Sequence, residues 1–270
     1  MLRRLFTRTN TIIPVDLSKG RSRKKKKRKE RTKNNNVYFV RLAKLYQHYL
    51  GREIPELEPF EAFKDRGDLL LEEDLPKDSI RIYVSHEWVG TKCADPKGVQ
   101  IKHLLNVLKR LENGEISNVR MNPFQALVFK EYKYITSREE WIYVLSRRNV
   151  FIWYDWFCVP REISSEPRLI AKVIETCHFS IILTPPCKHS TRKDPATKRR
   201  VNMCYRSYRL QARCVFDMFA SFLSTRGGER AQPMLLVRSS AVTPMWISPL
   251  ECMKLAVGKS TFRCCEDNHK

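Results

Sequence analysis

The sequence predicts an α/β domain built on a doubly wound, mostly parallel sheet flanked by helices, with a disordered basic tail ahead of it. Three observations point there. Near-continuous apolar runs at 150–153, 179–183 and 234–237 have the composition of strands buried on both faces, as in parallel sheets. Segments with apolar residues at helical spacing alternate with these runs, which implies right-handed βαβ crossovers. The charge is also unevenly spread. The chain carries 51 Lys and Arg against 29 Asp and Glu, and fourteen of the basic residues fall with only two acids in the first 33 positions. More than half of the net +22 therefore sits in the tail, and the remaining chain is only moderately basic.

In chain order, 21–33 (RSRKKKKRKERTK) is a low-complexity charge run that cannot bury apolar surface, and residues 1–36 are expected to be a disordered tail. Residues 37–79 read as a helix plus connector. Val37, Val40, Leu45 and Tyr49 fall on one stripe over 37–50, Gly51 supplies a stop, and a mixed acidic stretch follows. The domain itself is expected over 80–238. Ile82, Tyr83 and Val84 form its first strand, and Val99, Ile101, Leu104, Leu105, Leu108 and Leu111 its first helix. Ser137-x-x-Glu140 is a capping box opening a helix with Trp141, Val144 and Leu145. The apolar strand at 150–153 follows, then a helix from Pro167, the strand at 179–183, and a polar basic loop over 187–203. One further helix over 207–223 leads to a last strand at 234–237. Residues 239–270 are an extension with a short helix opened by Ser248-Pro249-Leu250-Glu251.

Composition excludes several classes. No apolar h-region follows the basic start, and no run approaches the roughly 18–20 residues of a membrane span. Nine cysteines, an odd number in a chain with a full core, read as reduced thiols of an intracellular protein. The cytoplasm or nucleus is expected ahead of the mitochondrion. Cys264, Cys265 and His269 lack the paired spacing of a structural zinc site, so no metal is expected.

In open α/β sheets, ligands sit outside the carboxyl ends of the strands. That singles out Ser85-His86-Glu87-Trp88, Asp155-Trp156-Phe157-Cys158 and Thr184-Pro185-Pro186. Asp155 interrupts a run of aromatics. It is either a pocket carboxylate at the switch point of the sheet or a cap on the next turn. Ser85 and His86 either contact a ligand or form a turn beside a half-buried ring. Trp88 and Trp156 are candidate aromatic walls. Cys158 reads as a small buried hydrophobe, and Cys177 and His178 should point to opposite faces of their strand.

Segments 82–88 (IYVSHEW), 150–162 (VFIWYDWFCVPRE) and 176–186 (TCHFSIILTPP) resemble, in their order and spacing, the superfamily of Toll/interleukin receptor (TIR) domains and fungal heterokaryon-incompatibility (HET) domains. The aromatic-x-Asp-x-x-Cys-Val-Pro segment is closer to the HET-like side. Arg213-Cys214-Val215-Phe216-Asp217 resembles the TIR-type Trp-Cys-x-x-Glu helix. The resemblance spans 82–237. It implies a flavodoxin-like sheet and a signalling domain that self-associates, with NAD-cleaving activity in some members. There a helical carboxylate stabilises positive charge developing at the glycosidic bond to nicotinamide. The corresponding group here is Asp217, and Ser85, His86, Trp88, Asp155, Trp156 and Arg213 are the implied pocket. Two departures stand out. Asp217 is one methylene shorter than Glu, a displacement of about 1 Å that can cost on the order of 100-fold in rate. Arg213 replaces an aromatic wall with a charge able to pair with Asp217.

Two functions follow as expectations. One is a TIR/HET-like signalling or self/non-self recognition module, a degenerate NAD hydrolase with NAD as substrate and no required cofactor. The other is a non-catalytic interaction protein that forms a homo-oligomer through the α/β domain. Its tail (Arg23, Lys24, Lys25, Lys26, Lys27, Arg28 and Lys29) would bind nucleic acid or an import receptor.

Overall fold

The structure, a computed structural model, describes residues 36–121, 127, 134–224 and 232–255, apart from Pro55, Ser165, Pro195, Pro249 and the side chain of Glu162. Strand β1 (Tyr38–Arg41) runs straight into helix α1 (Leu42–Tyr49). Helix α2 (Phe60–Asp65) and strand β2 (Leu69–Leu71) follow. Next come β3 (Ile80–His86), α3 (Val99–Glu112), α4 (Arg138–Ile142, continued by a π-helical turn Tyr143–Arg147) and β4 (Val150–Tyr154). After the single turn α5 (Asp155–Cys158) come α6 (Pro167–Thr176) and β5 (Phe179–Leu183). A two-stranded ribbon of β6 (Cys187–Lys193) and β7 (Arg200–Met203) then leads into α7 (Tyr205–Tyr208) and α8 (Ala212–Leu223). The described elements end with β8 (Met234–Val237), β9 (Met245–Ile247) and α9 (Leu250–Met253).

Seven strands form one sheet in the order β2-β1-β4-β3-β5-β8-β9. Its centre, β4-β3-β5-β8, is parallel, while β1 on β4, β2 on β1, and β9 on β8 are antiparallel. Every residue of β4, β5 and β8 is buried, which is why those segments read as apolar runs, broken only by Ser180 in β5.

Helices cover both faces, as the alternation along β5 demonstrates. Phe179 meets Trp141 of α4 edge-on, whereas its neighbour Ser180 hydrogen-bonds Ser221 of α8 at 2.8 Å. Adjacent strand residues point to opposite faces, so α4 and α8 lie on opposite sides. Ile182, on the α8 side, packs with Cys214, Val215 and Met218. Ser221 and Ser180 satisfy each other together with Gln232, so the polar interruption of this apolar interface carries no unpaired hydroxyl.

Several helix starts follow the sequence signals. Ser137 and Glu140 form both bonds of a capping box, and Pro167 occupies the first turn of α6. Gly51 takes a left-handed backbone after α1.

Other expectations are corrected. The segment 37–50 is not one helix: its first residues form β1, because Val40 and Arg41 find partners in Ile152 and Phe151. The connector contributes β2, and the extension after 238 contributes β9, so the sheet recruits strands from outside 80–238. The polar loop at 187–203 is a ribbon. The helix expected over 207–223 breaks into α7 and α8 at Gln211, whose backbone is extended. The basic tail with Arg23, Lys24, Lys25, Lys26, Lys27, Arg28 and Lys29, as well as Cys264, Cys265 and His269, lie outside the described residues.

Among the described residues no helix is long and apolar enough to cross a membrane.

Candidate functional site

Strands β3 and β4 end side by side, and their last residues build a buried polar network. Ser85 and His86, adjacent on β3, face opposite sides of the sheet. On one side, Ser85 Oγ donates to Asp217 Oδ2 of α8 at 2.5 Å and lies 2.6 Å from the Tyr208 hydroxyl of α7. Serine has one proton to give, so Tyr208 donates to Ser85. On the other side, the His86 ring nitrogens lie 2.8 Å from Gln100 Oε1 of α3 and 2.8 Å from Asp155 Oδ1. The ring also stacks on Tyr154 at 4.2 Å.

Asp155, the first residue after β4, joins the two sides. Its Oδ2 accepts from Trp88 Nε1 and pairs with Arg213 of α8, each at 2.7 Å. The carboxylate is only 2% exposed. Burial alone would raise its pKa, but the Arg213 charge and the bonds from His86 and Trp88 outweigh burial and hold it well below the usual carboxylate range. Asp155 is thus a permanently ionised anchor. Arg213 also donates to Ser164 O at 3.0 Å, and its guanidinium lies 6.0 Å from the Trp88 ring centroid.

Asp217 is the opposite case. It is 2% exposed, and burial raises its pKa to about 6 against the opposing influence of Arg213 and the Ser85 bond. Oδ1 of this carboxylate makes no hydrogen bond of ordinary geometry among the described residues, and Tyr83, two residues before Ser85 on the same face of β3, also acts to lower its pKa.

Outside this network lies a cleft of about 550 Å³, lined on one side by residues 56–61 and on the other by Trp88, Lys92, Asp155, Trp156, Arg161 and Ser164. Trp88 and Trp156 meet edge to face at 5.6 Å. Both indole N–H groups are held by the protein, Trp88 by Asp155 and Trp156 by Leu57 O at 3.0 Å.

The structure therefore brings all seven of the non-tail candidates into one region. Trp88, Asp155 and Trp156 border the cleft, whereas Ser85, His86, Arg213 and Asp217 do not. The cleft opens beyond the carboxyl ends of β3 and β4, with Asp155 on its wall. The crevice between β3 and β5, where the strand order reverses, is the switch point of the sheet. At that switch point the segments after the two strands are tied together by a bond from Ser190 N to Val89 O at 2.7 Å. Ser207 and Gln211 donate to Glu87 at 2.8 and 2.9 Å. Arg213, whose charge the sequence leaves free to pair with Asp217, pairs with Asp155.

Sequence reasoning singled out Glu87 with its strand-end segment but missed Gln100, Tyr208 and Gln211 as members of this network. Gln100 had a readable signal: it lies four residues before Leu104, on the buried stripe of α3, where a polar residue needs a partner. Its amide donates to Glu87 O at 2.9 Å, which turns its oxygen toward His86. Cys158 is buried, and its thiol pKa is pushed up to about 12 by burial, the state of an inert core residue. His178 Nδ1 accepts from the Arg81 backbone. Among the described residues no group of three or more His, Cys, Asp or Glu side chains is placed to hold a metal ion.

Comparison with protein-family models, with curated proteins and with solved structures finds no match.

Proposed function

We propose that this chain is a TIR/HET-like signalling or self/non-self recognition module that uses the cleft beyond β3 and β4 for binding and does not hydrolyse NAD. The observation carrying this reading is the position of Asp217. The carboxylate that the resemblance puts in the catalytic place is buried behind Ser85 and Tyr208 and does not border the cleft. A group that stabilises charge in a transition state must reach the atom on which the charge develops. Asp155 does reach the cleft, but its three donors already neutralise and orient it. The flavodoxin-like description of the sheet belongs to the same proposal. It is supported by the parallel order β4-β3-β5-β8, in which the first strand lies inside the second.

A second reading, the NAD hydrolase, is favoured by one feature of the same residue. A carboxyl with a pKa of about 6 and one oxygen lacking an ordinary hydrogen bond resembles a tuned catalytic group. The deciding experiment is release of nicotinamide from NAD by the full chain at concentrations that permit self-association, beside Asp217→Asn. The expected result is no release from either protein. Turnover by the wild-type chain that vanishes in an equally well-folded Asp217→Asn variant would replace the binding module with the hydrolase.

A further inference from the structure

The ribbon β6–β7 carries a charge that the sheet-end network does not use. Between Cys187 and Met203 stand Lys188, Arg192, Lys193, Lys198, Arg199 and Arg200, with Asp194 as the only acid. Lys188, Lys193, Arg199 and Arg200 are exposed. Among the described residues none of these four side chains forms an ion pair. Asp194 does not offset them from a facing position, because its carboxylate turns back onto the backbone N–H groups of Ala196 and Thr197 at 3.0 and 2.7 Å. The turn is further closed by Asp194 N to Arg199 O and Lys198 N to Asp194 O.

Pairing register adds a second observation. Lys193 lies directly opposite Arg200, and like charges facing each other across a strand pair destabilise it. Lys188 lies opposite Asn202, which is two residues from Arg200 and so on the same face. Lys188, Arg199, Arg200 and Asn202 line a hollow of about 380 Å³ whose lining contains no acid. Cations are gathered here at the ribbon's own cost, with Lys188, Lys193, Arg199 and Arg200 paired to no acid among the described residues, and an external polyanion would relieve that repulsion.

We infer that the β6–β7 ribbon is a binding surface for duplex nucleic acid, contacted through its phosphates. No Phe, Tyr or Trp occurs between Cys187 and Met203, so the ribbon lacks the rings on which unpaired bases stack. None of the exposed large hydrophobic side chains lies in the ribbon, so it has nothing to insert into a bilayer. A two-stranded ribbon is also an element that the major groove of B-form DNA admits. The contact is electrostatic, hence indifferent to sequence and steeply sensitive to salt.

The test uses the full chain and a fluorescent DNA duplex of about two helical turns, titrated by anisotropy between about 50 and 200 mM salt. K188E/R199E/R200E is expected to weaken binding by about tenfold or more and to make the plot of log K against log salt shallower by about 2 to 3, near 0.9 for each lost phosphate contact. K24Q/K25Q/K26Q/K27Q separates the tail's contribution, and the ribbon reversal is expected to act equally in that background. K188Q/R199Q/R200Q, with a wild-type melting temperature, is expected to show the same direction of change, which excludes misfolding as its cause. Unchanged affinity and salt slope in the ribbon variants would overturn the proposal. So would tighter binding to the single strand than to the duplex. A ribbon-dependent association with phosphatidylserine vesicles, without one for the duplex, would replace nucleic acid with a membrane.

Discussion

Burying a carboxylate with one oxygen lacking an ordinary hydrogen bond makes its ionisation a cost to folding. In the folded chain Asp217 holds its proton up to about pH 6, whereas an unfolded aspartate releases it near its ordinary value of 3.8. Between these two values the folded state binds more protons than the unfolded one, so this group's contribution to stability falls as pH rises through the window. Above about pH 6 the full penalty is present, on the order of 3 kcal/mol. Asp217→Asn, which cannot ionise, is therefore expected to gain stability relative to the wild type as pH is raised from about 4 to about 7. Thermal melts of the two proteins across that range check it; a difference that stays flat with pH would contradict the assigned burial cost. At this scale the sequence was legible only where a residue's position named its surroundings. Ser85, His86 and Asp155 stand at strand ends and were readable for that reason. The partner of Arg213 was not. A helix-local pair with Asp217 looked natural at four residues' spacing, but Asp155 is a buried carboxylate delivered by another strand and claims the guanidinium instead.

For helix α3 the decisive residue lies outside its apolar stripe. Asp95 accepts from the backbone N–H groups of Val99, Gln100 and Ile101 at 2.9, 2.7 and 3.0 Å, satisfying donors that the first turn cannot pair internally. Gly98 leads into the helix with φ of +60°, and a Cβ there would stand 2.6 Å from Ile54 Cδ1. Asp95→Ala should lower stability by about 2 kcal/mol, at the upper end for a cap because the freed donors of Gln100 and Ile101 are buried. Urea unfolding monitored by far-UV circular dichroism measures it, and a loss of a few tenths would show that water replaces the carboxylate. The stripes of α3, α6 and α8 were readable because an amphipathic period survives in the sequence. For β1 it misled: Val37 and Val40 stand at a helical spacing, whereas the adjacent Phe39 and Val40 are both buried on a strand whose partners in β4 and β2 decide the conformation. The β6–β7 ribbon was unreadable for a different reason. Its exposed positions are polar and its apolar positions few, so no two-residue period announces a strand.

Across the whole molecule, burial falls from the middle of the sheet outwards. Strands β4 and β5 are buried along their whole length and β3 over its carboxyl-terminal five residues, while β2 exposes Leu70 at the edge. Native-state hydrogen exchange should accordingly be slowest in β3, β4 and β5, and faster by orders of magnitude in β2 and the β6–β7 ribbon. Comparable protection in the ribbon and the centre would argue that the ribbon is bound into the core. The parallel centre was legible because buried strands alternate with helices. The antiparallel margins were not, since short strands such as β2 and β9 carry no such alternation. The margin at β1 also has a consequence in time. Its sheet neighbour β4 is made long after it, with all of β3, α3 and α4 in between. On a ribosome, β1 and β2 must wait as a small unsupported pair while most of the sheet is still unmade. Such pairs are marginal alone, so this stretch is where a chaperone would find the nascent chain most open.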